Sequence, residues 1–299
     1  MRALPVTVLA VCGLIASACG ATGSGDAAAG QAATTSTEEQ APSTAPAEPS
    51  ETLDPVEPVD PVKTAEPAET AEPEETQQAR PLDGMVIVID PGHNGGNYRA
   101  PKAINRQVDV LTKKKACDTT GTATNNGYSE AAFTWDVSTR MVEILERRGA
   151  TVKLTRSSND GVGPCITRRA AIGNKAGADA AISVHADGAG PANHGFHVIM
   201  PRKINGPVDE VVDDSNRLGI AVRNAFAEGT GLPYSTYIGR KALDYRNDLG
   251  GLNLSRVPKI FVECGNMRNA AEAAKFQRPK FRQKIAVALA NGLQHYLKT

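Results

Sequence analysis

Apolar runs and amphipathic stretches alternate along the chain from residue 81 to its end. Short apolar runs are typical of buried strands, and longer stretches with apolar positions three or four apart are typical of helices. Strands are predicted at residues 85–90, 151–155, 179–184, 196–200 and 259–262. Helices are predicted at residues 128–148, 164–176, 210–228 and 281–297.

This alternation predicts an α/β fold, a three-layer sandwich whose mostly parallel central sheet is flanked by helices. The predicted strands are apolar along most of their length, as expected where helices cover both faces of a sheet. Residues 81–299 are numerous enough to bury one sizeable core, so we expect them to form a single folded domain.

The first 80 residues have a different pattern. Residues 1–19 carry the basic residue Arg2 near their start and continue with an apolar stretch too short to span a bilayer comfortably, so they resemble an export signal. The small residues before Cys19 resemble a bacterial lipobox, in which this cysteine carries a membrane-anchoring lipid; ordinary cleavage and secretion is the alternative. Residues 20–80 are rich in Pro, Ala, Thr and Glu, which predicts a disordered, extended linker. Either interpretation places the protein outside the cytoplasm.

Charge is distributed unevenly between these parts. The chain is neutral overall, but residues 1–80 carry 13 Asp and Glu against 3 Lys and Arg. Residues 81–299 therefore carry 30 Lys and Arg against 20 Asp and Glu, an excess that favours an anionic partner such as the cell wall. Nucleic acid is not expected as a partner, because the basic residues are scattered, aromatic residues are few and no nucleic-acid motif is present.

Polar side chains follow three of the predicted strands. His93 comes after the first strand, His185 follows the strand at 179–184, and Glu263 follows the strand at 259–262. In open α/β sheets, sites form beyond the carboxyl ends of the strands, so these side chains are expected to converge. Two histidines and one carboxylate form a catalytic zinc set that leaves one position for water.

Five ordered motifs resemble those of the zinc N-acetylmuramoyl-L-alanine amidases of the amidase-3 type, over about residues 84–298. They lie at residues 89–93, 126–130, 182–187, 195–198 and 258–266. Two positions depart from the family pattern: Asp187 stands where Asn is more common, and Cys264 stands where an aliphatic residue is frequent.

The resemblance implies that His93, Glu130 and His185 bind Zn²⁺ and that a water molecule fills the fourth position. It implies that Glu263 takes the proton of this water and later delivers it to the leaving L-alanine nitrogen. The implied reaction cleaves the amide between N-acetylmuramic acid and L-alanine in peptidoglycan. Regulated members carry an extra helical segment between the last histidine motif and the glutamate; the short interval here implies an open site. We expect the protein to act as a monomer.

Other interpretations remain open at this point. Glu130 also suits the first turn of a helix, where the dipole favours a carboxylate. His197 is expected to be structural or to line the substrate site rather than to bind metal. Two other functions are compatible with the pattern: a zinc carboxypeptidase acting on wall peptides, and a wall-binding lipoprotein without catalysis.

The cysteines after the leader predict one disulfide. Three remain, and Cys264 adjoins a buried strand, so it is the expected free thiol. Cys117 lies in a polar insert at residues 97–126 that would be mobile unless it were tied down, and Cys165 begins a predicted helix. An oxidising compartment permits a Cys117–Cys165 bond, which would hold the insert over the rim of the cleft. Unpaired thiols are the alternative.

Overall fold

The computed structural model describes residues 79–299, and the export signal predicted at 1–19 and nearly all of the predicted linker lie outside these residues. The strands of the described part are β1 (Val86–Pro91), β2 (Gln107–Asp109), β3 (Lys114–Ala116), β4 (Thr151–Leu154), β5 (Ala180–Asp187), β6 (His197–Pro201), β7 (Leu243–Arg246) and β8 (Lys259–Asn266). The α-helices are α1 (Pro101–Ile104), α2 (Glu130–Arg147), α3 (Ile166–Ala176), α4 (Val212–Thr230), α5 (Gly250–Asn253), α6 (Ala270–Phe276) and α7 (Pro279–Leu297). Within the described residues, no helix is long and apolar enough to cross a membrane.

Six of the strands form one sheet in the order β4-β1-β5-β8-β6-β7. Neighbouring strands are parallel except for β6 and β8, which are antiparallel. Helices lie against both faces of this sheet. The predicted α/β sandwich with a mostly parallel central sheet is confirmed.

The alternation of side chains along the central strands gives the sheet two different faces. Ile182 and Val184 of β5 and Val262 of β8 belong to the main apolar core, beneath α2, α4 and α7. His185 and Glu263 have the opposite parity, so they project toward the side that α3 and α5 cover. One face therefore packs in the apolar core, and the other face carries the polar side chains His185 and Glu263.

The predicted elements are present with small shifts of their ends, but the insert after β1 is more ordered than its composition indicates. It contains a 3-10 helix (Asn97–Arg99), α1 and the antiparallel hairpin of β2 and β3. The edge strand β7 and the short helices α5 and α6 were not predicted either. These short elements lack a long apolar period, so their sequences carry little signal.

Cys117 and Cys165 form a disulfide, with their Cα atoms 4.7 Å apart. The predicted pairing is confirmed, and Cys264 is the free, buried cysteine of the described residues. The bond joins the residue after β3 in the insert to the N-cap of α3, the helix on the polar face of the sheet. It therefore fixes the insert close to the cavity described below.

Removal of this disulfide is expected to lower the free energy of unfolding by about 2–4 kcal/mol, because the bond closes a loop of 48 positions in the unfolded chain. Chemical denaturation of the wild type with and without reductant measures the effect. The matched control is the double variant Cys117→Ser/Cys165→Ser, whose stability should not respond to reductant. An unchanged wild-type midpoint under reduction would contradict this expectation.

Candidate active site

The four predicted site residues line one cavity of about 360 Å³ on the polar face of the sheet. His93 follows β1, Glu130 opens α2, His185 lies in β5 and Glu263 lies in β8. In the sheet β5 lies between β1 and β8, and His185 and Glu263 are register partners. The expected convergence at the ends of neighbouring strands is therefore present in the structure.

Three of these side chains form a compact set of possible metal ligands. His93 Nε2 lies 3.2 Å from Glu130 Oε2, and His185 Nδ1 lies 2.8 Å from Glu130 Oε1. One donor atom from each residue can be chosen so that all lie within 4.8 Å of one another. Two imidazole nitrogens and a carboxylate oxygen at this spacing suit a tetrahedral divalent cation with one free position.

The backbone and a buried arginine hold His93 in place. Its φ angle of 58° lies in the left-handed region, which a residue with a Cβ seldom adopts without support. Arg169 supplies that support, since its guanidinium donates a hydrogen bond to the His93 carbonyl at 2.9 Å. The ring nitrogen away from Glu130 lies 3.3 Å from Asp118 Oδ1 and 3.1 Å from the Thr119 carbonyl. These acceptors orient the ring so that Nε2 faces the cluster.

Close packing fixes the ring of His185. It stacks on Phe261 with ring centroids 4.0 Å apart and planes 14° apart. On another side it lies against Gly92, where any Cβ would overlap the imidazole. Only glycine allows this approach, which explains its position one residue before His93.

Glu130 is placed by the start of α2. Ser129 caps the helix by accepting a hydrogen bond from the Ala132 amide, so Glu130 occupies the first turn. Its side chain turns toward the histidines and also accepts hydrogen bonds from the backbone amides of Thr122 and Ala186. The Glu130 carboxylate therefore lies at the N-terminus of α2 and also contacts both histidines of the cluster.

The charges within the cluster shift its pKa values in opposite directions. Burial lowers the pKa of His93, but the carboxylates of Glu130 and Asp118 outweigh it and raise that pKa to about 10. Burial raises the pKa of Glu130, and the two facing histidines more than reverse this effect. The carboxylate is therefore held in its ionised form, which is the form that binds a cation.

Glu263 has a different environment from Glu130. Its Oε2 atom is buried and has no hydrogen-bond partner among the described residues. Burial, followed by the charges of Glu130 and Asp187, raises the pKa of Glu263 well above its ordinary value. A carboxyl group of this kind is suited to accept a proton and then release it.

A buried ionic network supports the cluster, and the sequence did not indicate it. Arg169 bridges Asp90 and Asp118 at 2.8 and 3.0 Å, and Lys259 lies 3.3 Å from Asp90. Asp90 lies in β1, which leads to His93, and Lys259 lies in β8, which carries Glu263. The pairing of distant Arg, Lys and Asp residues depends on the fold, so no local pattern could have revealed it.

Two further expectations concern neighbouring segments. His197 is buried on β6 as the register partner of Glu263, and it is not among the possible metal ligands of the described residues.

In the interval between His185 and Glu263, the acidic stretch at 209–214 lies in a 3-10 helix (Pro207–Val211) and the first turn of α4. Helix α4 packs on α7 and β6, on the apolar side of the sheet. Activity without removal of this segment stays a prediction.

The sequence and the fold are similar to those of known proteins. A family profile described as N-acetylmuramoyl-L-alanine amidase matches residues 87–295. An N-acetylmuramoyl-L-alanine amidase of Mycobacterium tuberculosis is 38% identical over 219 residues, which span 73% of this chain and 88% of that protein. The amidase Ami1 of Mycobacterium smegmatis has a similar structure, with a TM-score of 0.68, 37% identity and coverage of 72% of this chain and 98% of that chain. The apo form of Ami1 from Mycobacterium abscessus gives a TM-score of 0.68, 41% identity and coverage of 72% and 100%.

Proposed function

The chain belongs to the N-acetylmuramoyl-L-alanine amidase family, and from this premise we propose that it hydrolyses peptidoglycan with the help of a zinc ion. The bond attacked is the amide between the lactyl group of N-acetylmuramic acid and the L-alanine of the stem peptide. The observation that carries the proposal is that one cavity holds a possible three-ligand metal cluster and the Glu263 carboxylate, whose buried Oε2 has no hydrogen-bond partner among the described residues.

His93, Glu130 and His185 would hold the zinc ion. Their donor types fit zinc, and their spacing leaves room for the fourth ligand that a catalytic site needs. A bound zinc ion supplies Lewis acidity, which activates water and stabilises charge on a carbonyl oxygen. The contacts of Asp118 with His93, and of Phe261 with His185, keep the two rings oriented for binding.

Glu263 would carry the proton during the reaction. Its free Oε2 faces no competing donor among the described side chains, so it is available to take a proton from the attacking water. A new C–O bond then forms at the lactyl carbonyl, and the C–N bond breaks. Glu263 then returns the proton to the leaving nitrogen. Its raised pKa favours the earlier step, the uptake of the proton from water.

We also propose an organisation for the rest of the chain. Residues 1–19 direct export, residues 20–80 form a linker, and residues 81–299 form the catalytic domain. Lipid attachment at Cys19 would hold the enzyme at the membrane, and cleavage without lipidation would release it into the wall space. The excess of basic residues in the catalytic domain suits an anionic wall polymer.

Digestion of purified peptidoglycan, followed by mass spectrometry of the products, tests the proposal. We expect intact stem peptides with a free L-alanine amine, together with glycan strands that have lost them. A zinc carboxypeptidase would instead shorten the stems, and a wall-binding protein would release nothing. Either of these two results would reject the amidase assignment.

A further inference from the structure

Five carboxylates line the cavity, and three of them have a basic side chain within ion-pair distance. Asp90 is paired with Arg169 and Lys259, and Asp118 is paired with Arg169. Glu130 lies between the two imidazoles of the cluster. The charges of these three are therefore balanced from within the protein.

The other two, Asp187 and Glu263, have no basic side chain within ion-pair distance in the part of the chain that the structure describes. Such a gap stands out in a domain with ten more basic than acidic residues. Glu263 lies in the same cavity as the cluster that would hold the metal ion, and burial raises its pKa. Asp187 is therefore the cavity carboxylate whose charge a cationic group of a ligand would balance.

Asp187 is fixed firmly at the cavity wall. The backbone amide of Gly188 donates a hydrogen bond to its Oδ1 at 2.6 Å, and the Tyr237 hydroxyl donates to its Oδ2 at 2.9 Å. Both donors are neutral, so they orient the carboxylate without cancelling its charge. The side chain is half-buried, which leaves it accessible to a ligand in the cavity.

Asp187 and Glu263 line the same cavity and lie on neighbouring strands. Asp187 ends β5, and β8, which carries Glu263, is the next strand of the sheet. Tyr237, which binds Asp187 directly, is close enough to both carboxylates that its pKa is raised, first by burial and then by Asp187 and Glu263. Asp187 is therefore close to the Glu263 carboxyl, from which the leaving nitrogen takes its proton.

Resting on the proposed function, we propose that Asp187 binds the ammonium group that the reaction creates on the released L-alanine peptide. Hydrolysis consumes one water, forms a C–O bond and breaks the C–N bond. The lactyl fragment leaves as a carboxylate and the peptide as an ammonium ion, so the protons balance. The amide nitrogen of the intact wall carries no charge, whereas an α-amino group with a pKa near 8 is cationic at neutral pH. Asp187 thus distinguishes the product from the substrate.

Titration calorimetry on the zinc-loaded exported protein tests this role with two probes, L-alanyl-D-glutamate and its N-acetyl form. The two probes share the same dipeptide, but in the second an acetyl group caps the amine and removes its charge. We expect the wild type to bind the free amine at least about tenfold more tightly, as for a hydrogen bond between charged groups. In Asp187→Asn, which keeps the size of the side chain, the difference should fall below about twofold.

Two variants sharpen the comparison. Asp209→Asn also removes a carboxylate that accepts backbone hydrogen bonds, but it lies outside the cavity lining, so it should keep the full preference. Tyr237→Phe removes one of the donors that fix Asp187 and should reduce the preference only in part. A wild type that binds both probes equally, or an Asp187→Asn variant that keeps the preference, would overturn the inference. Wall digestion is measured in parallel to separate this inference from the proposed function. If the protein releases stem peptides but shows no preference for the free amine, the inference is wrong and the proposed function is unaffected.

Discussion

Replacement of Glu263 by glutamine is expected to lower kcat on peptidoglycan by about 10²–10⁴-fold while zinc remains bound. The amide keeps the size of the side chain but cannot carry a proton between the attacking water and the leaving nitrogen. Glu263 is not among the three possible metal ligands, so the metal set stays complete. Its Oε2 has no hydrogen-bond partner within the described residues, so the substitution breaks no visible contact there.

Turnover of soluble wall fragments and zinc content by atomic emission, measured on the same preparation, check this expectation. Glu228→Gln is the matched control, because Glu228 is exposed on α4 and the same chemical change there should leave kcat unchanged. A Glu263→Gln enzyme with wild-type kcat would remove Glu263 from the catalytic role. Loss of zinc from this variant would instead assign it to the metal set.

Much of the fold was predictable because the central strands are buried on both sides. The apolar runs of β1, β5 and β8 are distinct from the amphipathic helical stretches, and these strands begin within one residue of the predicted positions. β5 and β8 continue three and four residues beyond the predicted ends, so His185 and Glu263 lie within the strands and not after them. The same runs indicated where the candidate site lies, since His185 and Glu263 belong to β5 and β8 and His93 follows β1. Glu130 was reached only through the family resemblance, because a glutamate in the first turn of a helix is common for local reasons.

The remainder depended on contacts between distant parts of the chain. Arg169 reaches Asp118 across 51 positions, and Tyr237 reaches Asp187 across 50. No pattern of neighbouring residues encodes such pairs. The hairpin of β2 and β3 was hidden for a related reason: its strands are three residues long and largely polar, so they lack the apolar alternation that marks a strand.

Replacement of His185 by alanine is expected to remove zinc binding and, with it, hydrolysis. The loss of one of three protein ligands should weaken zinc binding by more than the 10–100-fold typical of a residue that only orients a ligand. The imidazole also stacks on Phe261 and lies against Gly92, so the variant loses the packing that holds this part of the cluster. Competition with a chromophoric chelator measures the affinity for zinc, and thermal unfolding shows whether the variant remains folded.

His295→Ala provides the matched control, because His295 is exposed near the end of α7. This variant should retain stoichiometric zinc and full activity. Stoichiometric zinc in a folded His185→Ala protein would exclude His185 from the ligand set. Together, the two variants separate metal binding from proton transfer: His185→Ala should lose the zinc ion, and Glu263→Gln should keep it but fail to hydrolyse the substrate.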